Sequence, residues 1–104
     1  MSEGVTVTVS WTIKPALSDT FVAALRGMFP VTRTHQGFRS IRLLKSDIDP
    51  NQFLLIEEWD EARNFQAYAQ FRTETGDTAA LLAMTVSPPQ MGLWALNPLA
   101  EAQA

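Results

Sequence analysis

The sequence predicts an α+β fold with the element order β-α-β-β-α-β, and three patterns carry this prediction. Residues 5–13 alternate apolar and small hydroxyl side chains, which is typical of a strand with one buried face. Two further β-type runs, 38–46 and 52–59, lie on either side of a short polar turn, as in a hairpin. Apolar residues recur at helical spacing after the first strand and again after the third.

The first strand and the helix after it are the clearest elements. Apolar side chains occupy every odd position from Val5 to Ile13, and β-branched residues favour this conformation. Ser18 is placed to cap the following helix, because its hydroxyl can accept a hydrogen bond from a free first-turn amide. We expect this helix to end at Pro30, since the residue before a proline avoids the α region.

The second half of the chain repeats this order. An Asp-Pro-Asn turn at 49–51 joins the two strands of the hairpin. Asp60 can cap the next helix, which is predicted over 61–72. Gly76 ends that helix or bends the chain, and a last strand is expected at 90–97.

The element order is that of the ferredoxin-like βαββαβ motif, a four-stranded antiparallel sheet with helices on one face. The 104 residues suit a single domain over 1–104, with a core of about 5–97 and a loose tail at 98–104. Such a sheet leaves its other face open, and the strands carry side chains that tolerate burial on both faces. Because an exposed apolar face is a liability or an interface, we expect a face-to-face homodimer, a dimeric α+β barrel. The alternative is a monomer with a modestly apolar open face.

The composition argues against several function classes. The net charge is −3 and the basic residues are scattered, whereas nucleic-acid binding needs a positive surface. No cysteine is present, so disulfides, thiolate nucleophiles and the common zinc sites are excluded, and we expect no metal or cofactor. The single histidine, His35, is interpreted as a solvated loop residue. No apolar run approaches the ~20 residues that span a bilayer and residues 1–4 do not resemble a signal peptide, so we expect a cytoplasmic protein without membrane partners.

A carboxylate is predicted to lie on the helix-facing side of the third strand. Trp59 ends this strand on the same face as Phe53 and Glu57, because side chains two apart point the same way. Trp59 either packs the core or lines a pocket. A carboxylate among apolar neighbours must be paired or have its pKa raised. We therefore predict that Glu57 pairs with Arg72 or Arg42, and a structural ion pair is favoured over a general base.

The second helix carries a further candidate pair. Tyr68 and Arg72 are four residues apart and share one helical face. A phenol can donate to an anionic substrate oxygen, and a guanidinium can stabilise an enolate or peroxide anion. The alternative to such a catalytic role is an amphipathic helix with a half-buried Tyr and a surface Arg. Trp11 and Trp94, expected on outer strands, are interpreted as packing residues. The candidate catalytic residues, expected around one cavity, are Trp59, Tyr68 and Arg72, and the candidate substrate-binding residues are Glu57, Phe65 and Phe53.

Three segments resemble motifs of the antibiotic biosynthesis monooxygenase family. Residues 49–60 (DPNQFLLIEEWD) resemble its hairpin, in which an Asp-Pro-Asn turn leads into a strand ending in Glu-x-Trp. Residues 32–38 (TRTHQGF) resemble its loop into the second strand. Residues 68–77 (YAQFRTETGD) resemble a Tyr-x-x-aromatic-Arg-x-Glu-x-Gly variant found in many members. The resemblance covers roughly residues 5–97.

This resemblance implies the dimeric barrel and a choice of activities. Related proteins include cofactor-independent quinone-forming monooxygenases, haem-degrading enzymes and small-molecule isomerases. Many members place a His where Tyr68 stands, so His-dependent haem degradation is not implied here. Our hypothesis is a cofactor-independent monooxygenase acting on a small aromatic or polyketide-like substrate, whose anion itself donates an electron to oxygen. The alternative is a non-oxidative isomerase or binding protein on the same barrel.

Overall fold

Four strands form one antiparallel sheet in the computed structural model, which describes residues 3–104. In chain order they are β1 (Val5–Thr12), β2 (Phe38–Lys45), β3 (Gln52–Trp59) and β4 (Gln90–Ala95). Their order in the sheet is β2-β3-β1-β4, and every neighbouring pair is antiparallel. The predicted ferredoxin-like α+β fold is therefore confirmed.

Three helices connect the strands on one side of the sheet. A 3₁₀ turn, Pro15–Leu17, runs directly into α1 (Ser18–Thr32). After β3, α2 (Ala62–Glu74) is followed by the short α3 (Asp77–Leu82). Gly76 separates α2 from α3 with a φ of 85°, a left-handed conformation that glycine adopts without a steric penalty.

The predicted end of the first helix at Pro30 is wrong. Pro30 lies inside α1, which continues to Thr32. The amide of Arg33 donates to the carbonyl of Phe29 at 3.0 Å, so the last helical turn closes around the proline. A proline this close to the end removes only one helical hydrogen bond, and the chain accepts that loss.

Neither predicted N-cap caps its helix. Ser18 is already inside the first turn, because the 3₁₀ turn leads into α1 without a break. Its hydroxyl instead donates to Asn51 Oδ1 at 2.9 Å, which ties the helix to the β2–β3 turn. Asp60 lies one residue before the N-cap position, Glu61, and its carboxylate accepts from Arg39 Nε at 2.7 Å.

The helix-facing side of the sheet forms the core. Trp11 lies opposite Phe53 and Val7 lies opposite Glu57 in the β1–β3 register, so alternate residues of the two central strands point to the helices. This is the face predicted for Trp59. The buried apolar residues of this core include Val7, Val9, Trp11, Phe21, Leu25, Phe53, Leu55, Trp59, Phe65, Tyr68 and Leu81.

The other side of the sheet carries no helix. Thr8 of β1 and Ile56 of β3 are half-buried there and lie opposite each other. Trp94 of β4 is 59% exposed on the same side, and its indole donates to Thr8 Oγ1 at 3.0 Å. No helix within residues 3–104 has the length and apolarity needed to cross a bilayer.

Candidate functional site

A cavity of about 270 Å³ lies between the sheet and the helices. Its volume is slightly below the range of small-molecule sites, which starts at about 300 Å³. The wall is mostly apolar and comes from both central strands and all three helices. The residues that line it include Trp11, Glu57, Phe65, Tyr68 and Arg72, together with Leu25, Leu81 and Met91.

Glu57 places a carboxyl group in this apolar wall. The side chain is only 3% exposed, and its Oε1 accepts a hydrogen bond from Trp59 Nε1 at 3.0 Å. No salt bridge within residues 3–104 involves it. Burial raises the pKa of Glu57, and the hydrogen bond from Trp59 lowers it by less. Glu57 is therefore a buried acid whose second oxygen has no partner among these residues.

The predicted ion pair between Glu57 and an arginine is wrong. Arg42 lies opposite Ile56, so it points to the open face of the sheet and is exposed. Arg72 is on the helix-facing side, but its hydrogen bonds are made to the helices around it. The spacing of residues along the chain suggested that both arginines lie near Glu57. It could not show in which direction their N–H groups point.

Arg72 joins the three helices. It is 7% exposed, so the predicted alternative of a surface Arg is also wrong. Its Nη2 donates to the carbonyl of Met28 in α1 at 2.8 Å, and its Nη1 donates to Asp77 Oδ2 in α3 at 2.8 Å. Burial disfavours the charge, but the hydrogen bonds to Tyr68 and Asp77 outweigh it and raise the pKa of Arg72.

The hydroxyl of Tyr68 belongs to the same network. It accepts from Arg72 Nε at 3.0 Å and lies 2.8 Å from Thr32 Oγ1. Thr32 donates its own proton to the Met28 carbonyl at 3.1 Å, so the phenolic proton is directed to Thr32. The aromatic ring of Tyr68 therefore forms the cavity wall while its hydroxyl is engaged. Nothing in the sequence indicated the part played by Thr32.

Two of the predicted site residues lie behind the wall. Trp59 is 0% exposed and does not line the cavity; its ring centroid is 5.1 Å from that of Tyr68. Phe53 packs on Phe21 with ring centroids 5.3 Å apart and also lies outside the wall. The structure thus brings Glu57, Phe65, Tyr68 and Arg72 to one cavity, and Trp59 contacts the first three of them from behind the wall.

His35 is not the solvated loop residue that the sequence suggested. Its ring lies 5.0 Å from the Tyr68 ring and 4.6 Å from the Phe71 ring, measured between centroids. The side chain is half-buried against α2.

Comparison with known families now decides the relationship. A sequence profile described as antibiotic biosynthesis monooxygenase matches residues 4–73, about two thirds of the chain. The protein belongs to the antibiotic biosynthesis monooxygenase family. The matched segment includes Glu57, Trp59, Tyr68 and Arg72, and the resemblance noted from the sequence is confirmed. Membership supports a monooxygenase-like role in general terms.

Solved structures share the fold of this family member at low sequence identity. A variant of SnoaB, a cofactor-independent oxygenase from Streptomyces nogalater, has a TM-score of 0.80 at 21% identity, over 96% of this chain and 100% of the other. Rv0793 from Mycobacterium tuberculosis has a TM-score of 0.80 at 23% identity, over 97% and 100%. A Nitrosomonas europaea protein of unknown function has a TM-score of 0.78 at 19% identity, over 97% and 94%. No curated protein sequence matches the chain significantly.

The sequence interpretation missed Trp11 as part of the site. Trp11 lies on β1, which is a central strand and not an outer one, and it lines the cavity of this family member. Its buried Nε1 has no hydrogen-bond partner among residues 3–104. Within the same residues, no group of three or more His, Cys, Asp or Glu side chains could hold a metal ion.

Proposed function

We propose that this protein is a cofactor-independent monooxygenase that acts on a small aromatic or polyketide-like molecule. One observation carries the proposal: Glu57 is a buried carboxyl group without a cationic partner in the wall of an apolar cavity. Perturbed acids in clefts are candidates for proton transfer. The family membership and the small size of the cavity support the choice of reaction and of substrate size.

Glu57 takes the first proton in this mechanism. In its ionised form it accepts the proton of a phenolic or enolic hydroxyl of the substrate. Burial raises the pKa of Glu57, which makes its carboxylate a stronger base than an exposed one. Trp59 acts as a positioning residue, because its indole N–H holds one carboxyl oxygen and leaves the other for the substrate.

Oxygen reacts with the resulting substrate anion. The anion passes one electron to O₂, and the radical pair combines to form a C–O bond to a ring carbon that carries hydrogen. Glu57 returns its proton to the peroxide anion. The ring proton then leaves as the O–O bond breaks, so that a quinone carbonyl and one molecule of water are formed from the phenol and O₂.

The cavity walls stabilise the charged intermediates of this reaction. Phe65 and the Tyr68 ring exclude water, which strengthens electrostatic interactions inside the cavity. Arg72 lines the same cavity and its positive charge stabilises the substrate anion and the peroxide anion. We assign Trp59, Tyr68 and Arg72 to the catalytic machinery in these supporting roles. We assign no direct substrate contact to Phe53.

The test uses 1,5-dihydroxynaphthalene as a probe, with O₂ uptake and quinone absorbance as readouts. We expect Glu57→Gln to lower kcat/KM by a factor of about 10² or more, the usual size of a general-base contribution. Glu58→Gln is the matched control, because Glu58 is the next residue and points to the opposite face. A Glu57→Gln variant within threefold of the wild-type rate, or a wild-type protein that forms no quinone, would refute the proposal.

The pH profile tests the role of Trp59 separately. Activity should rise with pH as Glu57 ionises. Because the hydrogen bond from Trp59 lowers the pKa of Glu57, Trp59→Phe should move the midpoint of this rise to higher pH. A midpoint that stays in place in Trp59→Phe would show that Trp59 does not position the base.

A non-oxidative isomerase is the second candidate. The hydroxyl of Tyr68 and most N–H groups of Arg72 form hydrogen bonds within the protein. Glu57 is therefore the main ionisable group of the cavity that is free to bind a substrate. A single carboxylate is sufficient to move a proton between two positions of an enolisable ketone. Turnover that continues unchanged without O₂ would favour this second function.

We also infer that two copies pair through the open face of the sheet. Ile56 and Thr8 lie on this face without helix cover, and Trp94 is largely exposed beside them. Proteins of this family are typically dimeric. Light scattering should show a dimer for the wild type and a larger monomer fraction for Trp94→Glu. A wild-type monomer at micromolar concentration would refute the pairing.

A further inference from the structure

The short helix α3 forms the cavity wall at the place where the cavity reaches the surface. Leu81 and Leu82 both line the cavity, but Leu81 is 6% exposed and Leu82 is 42% exposed. Met91 of β4 also lines the cavity, and it is 62% exposed. The cavity therefore opens to solvent between α3 and β4, and a ligand that enters here passes α3.

The C-terminal end of α3 is held by backbone hydrogen bonds. The amide of Lys14 donates to the carbonyl of Met84 at 2.9 Å. The amide of Val86 donates to the carbonyl of Thr12 at 2.9 Å, and the Lys14 ammonium donates to the Ala83 carbonyl at 3.0 Å. These bonds fix residues 83–86 against the end of β1.

A side-chain contact holds the N-terminal end of α3. Asp77, the first residue of this helix, accepts from Arg72 Nη1 at 2.8 Å and from Thr75 Oγ1 at 2.7 Å. The hydrogen bonds from Thr75 and Arg72 lower the pKa of Asp77, so the carboxylate stays charged at neutral pH. Because this side chain is 35% exposed, water competes for the ion pair, and little free energy is needed to break it.

The turn before α3 permits a change of backbone direction. Gly76 joins α2 to α3 with a φ of 85°, and an added Cβ would meet open space there. Among Asp77–Leu82, only Leu81 is buried. Elements with few buried contacts are the ones that open locally while the rest of a protein stays folded. The N-terminal end of α3 is therefore the part of the wall that is easiest to displace.

The volume of the cavity gives a reason for such a displacement. At about 270 Å³ the cavity is slightly smaller than most small-molecule sites. Moving α3 outward withdraws Leu81 and Leu82 from the wall and enlarges the space without disturbing the sheet. The same movement separates Asp77 from Arg72, which frees one donor of a residue that lines the cavity.

We infer that α3 is a gate. Its N-terminal end swings outward about the fixed residues 83–86 to admit a ligand, and the ion pair between Arg72 and Asp77 holds it closed. The gate does not depend on the reaction that follows ligand entry. It goes beyond the proposed function, because it would serve an isomerase as well as a monooxygenase.

A thiol placed on α3 measures the opening, because the chain contains no cysteine of its own. Leu81→Cys is compared with Leu25→Cys, since Leu25 is 2% exposed and lines the same cavity from α1. Both variants are treated with dithiodipyridine without denaturant, and urea unfolding of each variant gives the contribution of global unfolding, which is subtracted. The thiol on α3 should react at least about tenfold faster than the thiol on α1. Equal corrected rates would overturn the inference.

Asp77→Asn tests the ion pair in the Leu81→Cys background. Asparagine keeps the shape of aspartate but removes its charge, so the labelling rate should rise about two- to fivefold, the value of a partly exposed ion pair. Asp19→Asn is the control, because Asp19 is also an acidic residue in the first turn of a helix, α1. A rate unchanged by Asp77→Asn, or raised equally by Asp19→Asn, would contradict the role of the ion pair.

Hydrogen exchange of the wild type provides a test without any substitution. The amides of residues 80–83 should exchange through a local opening whose rate depends little on low concentrations of urea. The amides in the middle of α2 should exchange more slowly and with the urea dependence of global unfolding. The same rate and the same urea dependence in both helices would show that α3 opens only when the whole protein unfolds, and the gate would be refuted.

Discussion

Replacing Arg72 with methionine tests the network that joins the helices. Methionine keeps much of the aliphatic volume of arginine but has no donors. The change removes the hydrogen bonds to Met28, Thr32, Tyr68 and Asp77. It also leaves the Tyr68 hydroxyl without the donor from which it accepts, in a region with little access to water.

The expected loss follows from the burial of each bond. A hydrogen bond to a charged group contributes about 1.5–3 kcal/mol, and the two bonds to Met28 and Tyr68 are well shielded. The bond to Asp77 counts for about 0.5 kcal/mol, because that carboxylate is 35% exposed and solvent screens the pair. The packing of the methionine side chain recovers part of the lost free energy of unfolding. The net destabilisation is about 3 kcal/mol, which lowers Tm by about 12–15 °C in a domain of this size.

Urea unfolding at a fixed protein concentration measures this loss. Arg63→Met is the matched control, since Arg63 lies on the same helix with a side chain that is 79% exposed, and it should cost less than about 0.5 kcal/mol. A loss below about 1 kcal/mol in Arg72→Met, or equal losses in both variants, would show that the network does not hold the helices together.

Four further variants test other features of the structure. Burial raises the pKa of Glu57 above its ordinary value of 4.5, so the folded state binds the proton more tightly than the unfolded state does. The stability gained from this proton is fully present below pH 4.5 and is lost as the pH rises through the folded pKa. In unfolding experiments at a series of pH values, Glu57→Gln should therefore show a smaller loss of stability with rising pH than the wild type. Tyr68→Phe should cost about 1–2 kcal/mol in urea unfolding, because it leaves a buried guanidinium donor without its acceptor, and an unchanged stability would contradict the hydrogen-bond assignment. Gly37→Ala should destabilise the protein by about 2 kcal/mol, because Gly37 has a φ of 82° and an added Cβ would collide with the Asn64 side chain. Gly27 lies inside a helix with open space around it, so Gly27→Ala should stabilise the protein by about 0.5–1 kcal/mol.

The sequence predicted the parts of the fold that depend on local periodicity. The alternation of 5–13 identified β1 and its buried face, and the same rule placed Glu57 and Trp59 on the helix-facing side of β3. These predictions succeed because side-chain direction in a strand alternates strictly with position. The hairpin also followed from local turn chemistry, with β3 found at Gln52–Trp59 as expected.

The partners of the buried polar groups were not predictable in the same way. Arg72 meets Met28 and Asp77, which are 44 and five residues away in the sequence, and no periodic pattern connects them. The free N–H of Trp11 is likewise a property of the assembled core, since any tryptophan on a buried strand gives the same sequence signal. The predicted end of α1 was wrong for a different reason: Pro30 is tolerated because it lies in the final turn of the helix.

The positions of Glu57 and the surrounding wall have a consequence for how this protein could be diversified. The base and the indole that holds it are two residues apart on one central strand, whereas Leu25, Phe65 and Leu81 belong to three different helices. The proposed base is thus carried by the sheet, while much of the apolar wall is carried by the helices. A combinatorial library confined to the helical wall would sample new substrate outlines while the proton-transfer geometry stays constant, which makes the scaffold suited to directed evolution of new ring systems.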